Sequence, residues 1–244
     1  MRSYETNTIS TAYLCYLRHL LLLPPPHNAQ GIILMSQELE TVGTALFFGK
    51  RPGLWGAASY KSLKPLAGYV SDYVDRMAMF QSWLDDGPPT VFWVSGFFFT
   101  QAFLTGSNQN YAREFTIPID SLDFDFEMLS DEKSGGDRPE NGVYISGLYF
   151  DGARWDIGNQ VLADSLPKVL FSPAPKMWLR PCKPAEFAVY DHYNCPMYLT
   201  SDRCGALATT GHSSNFVMYI RIPADRAGEF WIEAAVALLT QLDD

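Results

Sequence analysis

The sequence predicts an α+β fold: an N-terminal helical section followed by a small antiparallel partial β-barrel with a C-terminal helix. Two observations predict it. Up to residue 87, apolar residues recur at three- and four-residue spacing, which is the periodicity of amphipathic helices. From residue 90 onwards, short β-branched and aromatic runs are separated by loops of hairpin length. Such strands favour an antiparallel sheet that closes into a partial barrel.

The first predicted helix covers residues 31–48 and ends at Gly49 and Pro52. Its apolar stripe consists of Ile33, Leu34, Leu39, Val42, Leu46 and Phe47. Upstream, Pro24–Pro26 cannot continue a helix, because proline lacks the N–H donor and clashes with the preceding turn. We therefore expect part of this stripe to stay exposed.

A second helix is predicted to start after Pro65, since proline suits a first helical turn, and to stop at Gly87. Its recurring apolar positions are Leu66, Tyr69, Val70, Tyr73, Val74, Met77, Phe80, Trp83 and Leu84. Together the two patterns predict a helical section that ends near residue 88.

The barrel section opens with a strand at 91–94 and a helix-spaced segment from 97 to 115. In LDFDFEML, residues 122–129, apolar and acidic residues alternate, which predicts a half-buried strand with Asp123, Asp125 and Glu127 on its wet face. Residues 130–142 are predicted to form a solvated hairpin loop. Further strands are predicted at GVYISGLYF, KVLF, CPMYLT and NFVMYIRI.

A terminal helix is predicted after Pro223. Its buried stripe would comprise Phe230, Trp231, Ala234, Ala235, Leu238, Leu239 and Leu242. At the other end of the sequence, the apolar residues 12–26 are too few to span a membrane, and no clean small-residue cleavage site follows them.

The composition excludes some classes of function. The chain has 244 residues and a net charge of −9, with no basic stripe that could neutralise phosphates, so nucleic-acid binding is not expected. The four cysteines form no C-x-x-C pair, which favours reduced thiols in a cytosolic protein.

A near-miss to a phosphate-binding loop lies at GTALFFGKR. Five residues separate Gly43 from Gly49, where the motif has four, and Arg51 stands where a Ser or Thr would hold Mg²⁺. The stretch also has the pattern of a helix. We therefore predict neither nucleotide binding nor a cofactor.

Two polar clusters invite interpretation as chemical sites. His192, Cys195, Cys204 and His212 lack the two close ligand pairs of a structural zinc site, so packed thiols and polar turn histidines are the favoured interpretation. In TTGHSSN, residues 209–215, no nucleophile elbow accompanies the Thr, His and Ser residues. Gly211 would instead allow a positive-φ turn, with the polar side chains bonding to the loop backbone.

Four sequence blocks occur in an order that is characteristic of one family. They are WVSGFFFTQAFLTG (93–106), GVYISGLYFDGARWD (142–156), YNCPMYLTSDRCGALATTGHSSNFVM (193–218) and WIEAAVALLTQLDD (231–244). Together with GIILMSQELE and LWGAASYKSLKPL upstream, they resemble the C-terminal region of dynein heavy chains, most closely the axonemal ones. The chain departs from the family pattern at Ala234 and Ala235, where a basic residue and a glycine are typical.

The resemblance implies three segments: an unmatched leader at residues 1–30, a helical lead-in at 31–88 and the barrel at 89–244. Residues 1–30 do not resemble the long helix that precedes this region in the family. A truncated heavy chain, or a reading frame assigned the wrong start, would explain them.

The resemblance also identifies motif positions with structural roles. They are Trp93, Gly96, Phe97, Phe98, Gln101, Phe103, Leu104, Gly106, Gly152, Arg154, Trp155, Asp156, Cys195, Pro196, Tyr198, Arg203, Thr210, Gly211, His212, Asn215, Phe216 and Trp231. For the A-R-W-D block, two interpretations stay open: a buried tryptophan beside an Arg–Asp pair, or a contact surface towards the motor ring.

The function implied by the resemblance is that of a non-catalytic part of a minus-end-directed microtubule motor. Its partners would be the AAA+ ring, which it caps and modulates, and other dynein subunits. Microtubules would be contacted only indirectly, and nucleic acid and membranes not at all. Its location would be the cytoplasm, in the cytoskeleton and the ciliary axoneme. A free-standing adaptor that binds dynein rings and an enzyme with an unrecognised site remain as alternatives.

Overall fold

The computed structural model describes residues 36–129, 137–206 and 213–243, with the side chains of residues 57 and 58 left out. The chain divides into two compact units between Pro88 and Pro89. Among the described residues, no helix is both long enough and apolar enough to cross a lipid bilayer.

The described part of the first unit is helical. It contains α1 (Gln37–Phe47), α2 (Gly53–Ala58) and α3 (Leu66–Asp86). The Ser36 hydroxyl caps α1 by accepting from the Leu39 N–H at 3.3 Å, and Gly87 ends α3 at a φ of 86°. Both predicted helices are thus confirmed, although residues 31–35 of the first lie outside the described residues.

The first unit packs around an arginine, which the apolar pattern did not predict. Arg76 of α3 is 1% exposed, lies 3.7 Å from the centre of the Tyr60 ring, and bonds to Asp72 at 2.7 Å. Burial raises the pKa of Tyr60. Because the aromatic side of α3 faces this cluster, Val70 and Val74 of the predicted stripe are left exposed.

The second unit is mainly β. Its helices are α4 (Thr100–Phe115) and α5 (Gly228–Glu233). Its strands are β1 (Val91–Trp93), β2 (Asp123–Met128), β3 (Val143–Ser146), β4 (Tyr149–Asp151), β5 (Ala153–Asp156), β6 (Val161–Asp164), β7 (Phe171–Pro173), β8 (Met177–Cys182), β9 (His192–Tyr198), β10 (Phe216–Pro223) and β11 (Ala237–Leu239).

Among the described residues these strands form a sheet of order β1-β3-β8-β2, a sheet of order β10-β9-β11-β4-β7, and the hairpin β5-β6. The pairs β1–β3 and β9–β11 are parallel and the others antiparallel. The sheets do not join into a closed barrel, which confirms the predicted α+β fold with a partial barrel.

Alternation along the strands builds one apolar core. In β8, Met177 and Leu179 are fully buried while Trp178 and Arg180 face outward. The other fully buried large side chains of this core are Phe150, Ile145, Leu162, Met197, Ile220, Ile222, Leu238 and Trp231.

The predicted terminal helix is wrong beyond its first turns. It ends at Glu233, Ala235 takes a positive φ of 54°, and Ala237–Leu239 form a strand between β9 and β4. Ala234 and Ala235 of the predicted buried stripe are exposed. The cause is the short apolar run after Ala235, which suits a strand buried on both faces as well as a helix.

Two strand predictions need correction in detail. β2 forms as predicted, but Asp125 is only 4% exposed and does not lie on a wet face. The strand predicted at KVLF begins only at Phe171. The predicted loop at 130–142 lies mostly outside the described residues.

Candidate functional site

The first two motif blocks are joined by a parallel strand pair. Trp93 of β1 is in register with Ser146 of β3, and the Ser95 hydroxyl donates to the carbonyl of Gly147. Gly147 has a φ of 89°, and a Cβ there would lie 2.2 Å from Cδ1 of the Trp93 ring. The indole thus occupies the space of the missing side chain, so this contact requires glycine.

The phenylalanines in and next to the first block divide into half-buried and exposed ones. Phe97 stacks on Phe103 with ring centres 4.4 Å apart, and Phe92 lies 5.0 Å from Phe103. Phe99, which precedes α4, is 78% exposed. The block's remaining motif positions are the half-buried Phe98, the buried Leu104, Gly96 in a buried 3₁₀ turn, and Gly106, where a Cβ would meet no atom within 4 Å.

Gln101 connects the first block to the third. Its side-chain amide donates to the carbonyls of Phe216 and Val217, both at 3.4 Å. The register of β10 against β9 shifts between Phe216 and Met218. A side chain of α4 therefore supplies donors where the strand ladder is irregular.

Arg203 connects the third block to the second and the fourth. One nitrogen donates to Asp151 of β4 at 2.6 Å, and another donates to the carbonyl of Ala235 at 2.7 Å. Gly152, with a φ of 77°, faces the carbonyl of Ala234, which would lie 3.5 Å from a Cβ there. Arg203 thus clamps the turn between α5 and β11 onto the end of β4, with the Tyr198 ring 5.8 Å away.

Asn215 organises the start of the β9–β10 connection. Its amide donates to the Thr200 hydroxyl at 2.9 Å and to the carbonyl of Asp202. Asn215 is 1% exposed, and its Oδ1 has no partner among the described residues. The predicted turn residues Thr210, Gly211 and His212 lie outside the described part of the chain.

The A-R-W-D block does not contain the Arg–Asp pair expected from its sequence. Asp156 instead accepts from the Asn159 amide at 3.0 Å and from the Gly158 N–H at 3.0 Å, and these bonds lower the pKa of its carboxyl. Trp155 is half-buried against the core. The Asp156 carboxylate thus forms its hydrogen bonds with the β5–β6 turn, and the charge of Arg154 contributes less to its lowered pKa than these bonds do.

The cysteines and Trp231 differ in their surroundings. Cys195 of β9 is fully buried, and burial raises the pKa of its thiol. Cys204 is exposed, whereas Trp231 is 1% exposed and belongs to the core. Within the described ranges, no three His, Cys, Asp or Glu residues lie close enough to hold a metal ion.

Pro196 lies inside β9 without disrupting the sheet. The parallel pairing with β11 starts only at Met197, opposite Leu238. Proline has no N–H to donate to a neighbouring strand. Because Pro196 lies just outside the pairing with β11, no hydrogen bond of that pairing is lost.

Sequence reasoning missed a charge network that joins the two main sheets around the buried Asp125. Asp125 of β2 bonds to Arg180 of β8 at 2.7 Å and contacts Arg221 of β10 at 3.5 Å. The Ala188 N–H donates to the same carboxylate at 3.4 Å. The sequence did contain a sign of this network, because Arg180 and Arg221 each interrupt an otherwise apolar strand.

A groove of about 290 Å³ adjoins this network. Asp125 to Met128 of β2 line it, together with Trp155, Trp178 and Tyr190. The Tyr190 hydroxyl donates to the carbonyl of Phe126 at 3.5 Å and to that of Arg221 at 3.4 Å, so it bridges the edges of the two sheets.

Most of the motif side chains described above thus make contacts within the domain. Residues 27–240 match the family model described as the C-terminal domain of the dynein heavy chain. Dynein axonemal heavy chain 3 of mouse and of human are each 52% identical over 215 residues, and human dynein axonemal heavy chain 12 is 48% identical. These matches cover 88% of this chain, but only 5% of each heavy chain 3 and 7% of heavy chain 12.

Proposed function

The chain belongs to the family of dynein heavy chains, within their C-terminal domain, and we propose that it packs on the AAA+ ring of a dynein motor and modulates the ring's activity. The domain would itself be non-catalytic. It would act in microtubule-based movement of cilia, with microtubules contacted only through the rest of the motor. Its location would be the axoneme and cytoskeleton.

Exposed apolar side chains on the helical unit carry the proposal. Phe47 and Phe48, at the end of α1, are 85% and 66% exposed. Val70 and Val74 lie one turn apart on α3 and are 45% and 59% exposed. Grouped apolar side chains of this kind commonly mark protein-binding surfaces.

The hydrogen bonds of three motif side chains in the second unit support the same proposal. Gln101, Arg203 and Asn215 bond to main-chain carbonyls within the domain. They are therefore needed for the shape of the domain rather than for chemistry. The 48–52% identity to axonemal heavy chains favours a ciliary motor over a cytoplasmic one.

The test uses a dynein motor that lacks its own C-terminal domain. We expect the purified chain to bind the ring and to change its microtubule-stimulated ATPase rate. Val74→Glu should weaken binding about tenfold, because burying an unpaired carboxylate is costly. Gln109→Glu adds the same charge at an exposed polar position of α4, in the second unit, and serves as the control.

Two outcomes would contradict the proposal. One is the absence of ring binding at concentrations where the wild-type chain is monomeric. The other is equal loss of binding in both variants, which would mean that charge alone, and not the apolar contact, sets the affinity.

A further inference from the structure

α3 has a second apolar face besides the one that packs within its own unit. Tyr69 and Arg76 are buried, whereas Val70 and Val74, on a different side of the helix, are 45% and 59% exposed. The second face, which we call the outer seam, consists of Ala67, Val70, Val74, Met77, Gln81 and Leu84. All of these residues are exposed except Met77, which is half-buried.

The outer seam has the spacing of a coiled coil. From residue 67 to residue 84 its positions follow one another in alternating steps of three and four residues, as the a and d positions of a heptad repeat do. A surface helix needs only the one apolar stripe that faces its own core. An additional stripe with heptad spacing therefore indicates that a second helix packs along α3.

We propose that the outer seam binds an amphipathic helix of the motor, and that this helix carries basic residues beside its apolar positions. The inference rests on the proposed function for the source of the helix, and it names what covers Val70 and Val74 there. Helices packed in this way lie 8–10 Å apart. The exposed side of α3 next to the seam has small residues, Ser71 and Ala78, which permit this close approach.

The charge of α3 defines the flanks of the partner helix. α3 contains four aspartates, whereas its single cation, Arg76, is buried and bonds to Asp72 at 2.7 Å. Asp75 and Asp85 are exposed on the side of the helix that adjoins the seam, and Asp85 accepts from the neutral amide of Gln81 at 3.0 Å. Charges beside a coiled-coil seam determine the choice of partner. The acidic flank of α3 therefore selects Lys or Arg on the partner.

A second copy of the chain suits the outer seam less well than a basic helix does. Two copies of α3 would bring two acidic helices together, and like charges on neighbouring helical positions are destabilising. Gln81 also places a polar side chain at an a position, which lowers the stability of a coiled coil and favours one specific partner.

The direct test measures binding of fluorescent peptides to the full chain by anisotropy. The lysine peptide has three heptads, with leucine at a and d, lysine at e and g, and alanine elsewhere. It should bind at least about tenfold more tightly than a glutamate peptide, which has glutamate at e and g. A proline peptide keeps the lysine sequence but has proline at the central f position, which points away from the seam. It should also bind at least about tenfold more weakly, because proline breaks the helix without touching α3.

One pair of variants tests the apolar contact. Val74→Gln should weaken binding of the lysine peptide roughly tenfold, because Val74 lies near the centre of the outer seam. Leu54→Gln is the matched control, since it removes an aliphatic side chain of α2 that is 60% exposed, against 59% for Val74. We expect no change in its affinity. Equal loss in both variants would overturn the placement of the peptide on α3.

A second pair of variants tests the acidic flank. Asp75→Lys combined with Asp85→Lys should weaken the lysine peptide roughly tenfold and strengthen binding of the glutamate peptide, since both attractions become repulsions. Glu114→Lys combined with Asp120→Lys changes the net charge equally at exposed positions of the second unit and should leave both affinities unchanged.

The peptide assay contains no motor ring, so its outcome separates this inference from the proposed function. If the ring binds the chain but the lysine peptide binds no better than the proline peptide, the helix inference is wrong and the proposed function stands. If the lysine peptide binds as expected and the ring does not, the helix-binding surface is supported and its partner in the motor is wrong. Dimerisation that Val74→Gln abolishes, and that the lysine peptide inhibits, would make a second copy the occupant and overturn the inference.

Discussion

Ala235 occupies a backbone conformation that glycine adopts at much lower cost. Its φ is 54°, in the left-handed region. A left-handed conformation costs a non-glycine residue about 1–2 kcal/mol. Replacing alanine by glycine would remove this cost, but glycine also makes the unfolded chain more flexible, which offsets part of the gain in stability. The Arg203 bond to the Ala235 carbonyl helps to hold the strained turn in place.

We therefore expect Ala235→Gly to stabilise the chain by about 0.5–1 kcal/mol, measured as the free energy of unfolding in urea. Ala234→Gly is the control, because Ala234 has a φ of −72° in the right-handed region and should lose stability. A loss of stability in Ala235→Gly would mean that the methyl group makes a contact worth more than the strain.

Cys195 should make stability depend on alkaline pH. Its thiol is fully buried, and burial raises its pKa because the thiolate cannot be solvated. An unfolded thiol titrates near pH 8.5. Because the pKa of the thiol is higher in the folded state than in the unfolded state, the protonated thiol contributes fully to the free energy of unfolding below about pH 8.5. This contribution is lost as the pH rises further.

In urea unfolding between about pH 8.5 and 10, the free energy of unfolding should therefore fall with pH, approaching about 1.4 kcal/mol per unit from this thiol alone. Cys195→Ala should make the slope shallower, although cavity formation lowers stability at every pH. Cys204→Ala, which changes an exposed thiol, should leave the slope unchanged. Equal slopes in wild type and Cys195→Ala would contradict the assignment.

The sequence identified residues with structural roles, but it did not predict the groups that these residues contact. Gln101 and Arg203 were identified by resemblance, yet their partners are main-chain carbonyls 115 and 32 residues away. A carbonyl has no signature in the sequence, so these bonds could not be predicted. The wet face predicted for Asp125 is wrong because alternation alone cannot show that Arg180 and Arg221 meet it from neighbouring strands.

At the scale of elements, a helix whose apolar pattern repeats over many residues was predicted well, whereas a short apolar run was not. α3 matches its prediction because its pattern persists over 21 residues. The run from Val236 to Leu239 is too short to show a period, and it forms a central strand rather than a helix. Burial on both faces removed the alternation that would have identified it.

The pairing of β1 with β3 depends on the contact between Trp93 and Gly147, and a substitution there tests it. Gly147→Ala would place a methyl group 2.2 Å from the Trp93 ring at a φ of 89°. We expect destabilisation of about 2–5 kcal/mol, because steric overlap and backbone strain add together. The measurement is urea unfolding followed by tryptophan fluorescence.

Gly158→Ala is the matched control for Gly147→Ala. Its new methyl group would lie 3.4 Å from the Asp156 carboxylate, which is ordinary contact distance. We expect a change within about 1 kcal/mol. If both variants were equally stable, the indole of Trp93 would not be held against Gly147 in solution.

For the whole molecule, the sequence predicted the fold class because composition and periodicity change near residue 88. It could not predict the seam between the two main sheets, since the Tyr190 bridge and the Asp125 network join residues from distant strands. The chain spans only 5–7% of the length of the relatives it matches. Under the proposed function, we expect the activity at this scale to depend on surfaces that other parts of a motor would cover.

The apolar surface of the helical unit should limit the solubility of the isolated chain. Phe47, Phe48 and Val74 are exposed, and leaving a large apolar side chain in water forgoes about 1.5–3 kcal/mol. Residues 88–244 contain the second unit with its own core. We therefore expect this shorter chain to remain monomeric at concentrations where the full chain associates.

Light scattering and binding of a hydrophobic dye would compare the two chains at equal concentration. A full-length variant with Phe47→Gln and Phe48→Gln should lie between them, because it removes two exposed rings and leaves the valines of α3. The matched control, Thr41→Gln with Gln37→Thr, changes exposed polar positions of α1 and should behave as wild type. If the full chain stays monodisperse and dye-silent while residues 88–244 aggregate, the helical unit completes the core of the second unit, and its exposed rings do not drive association.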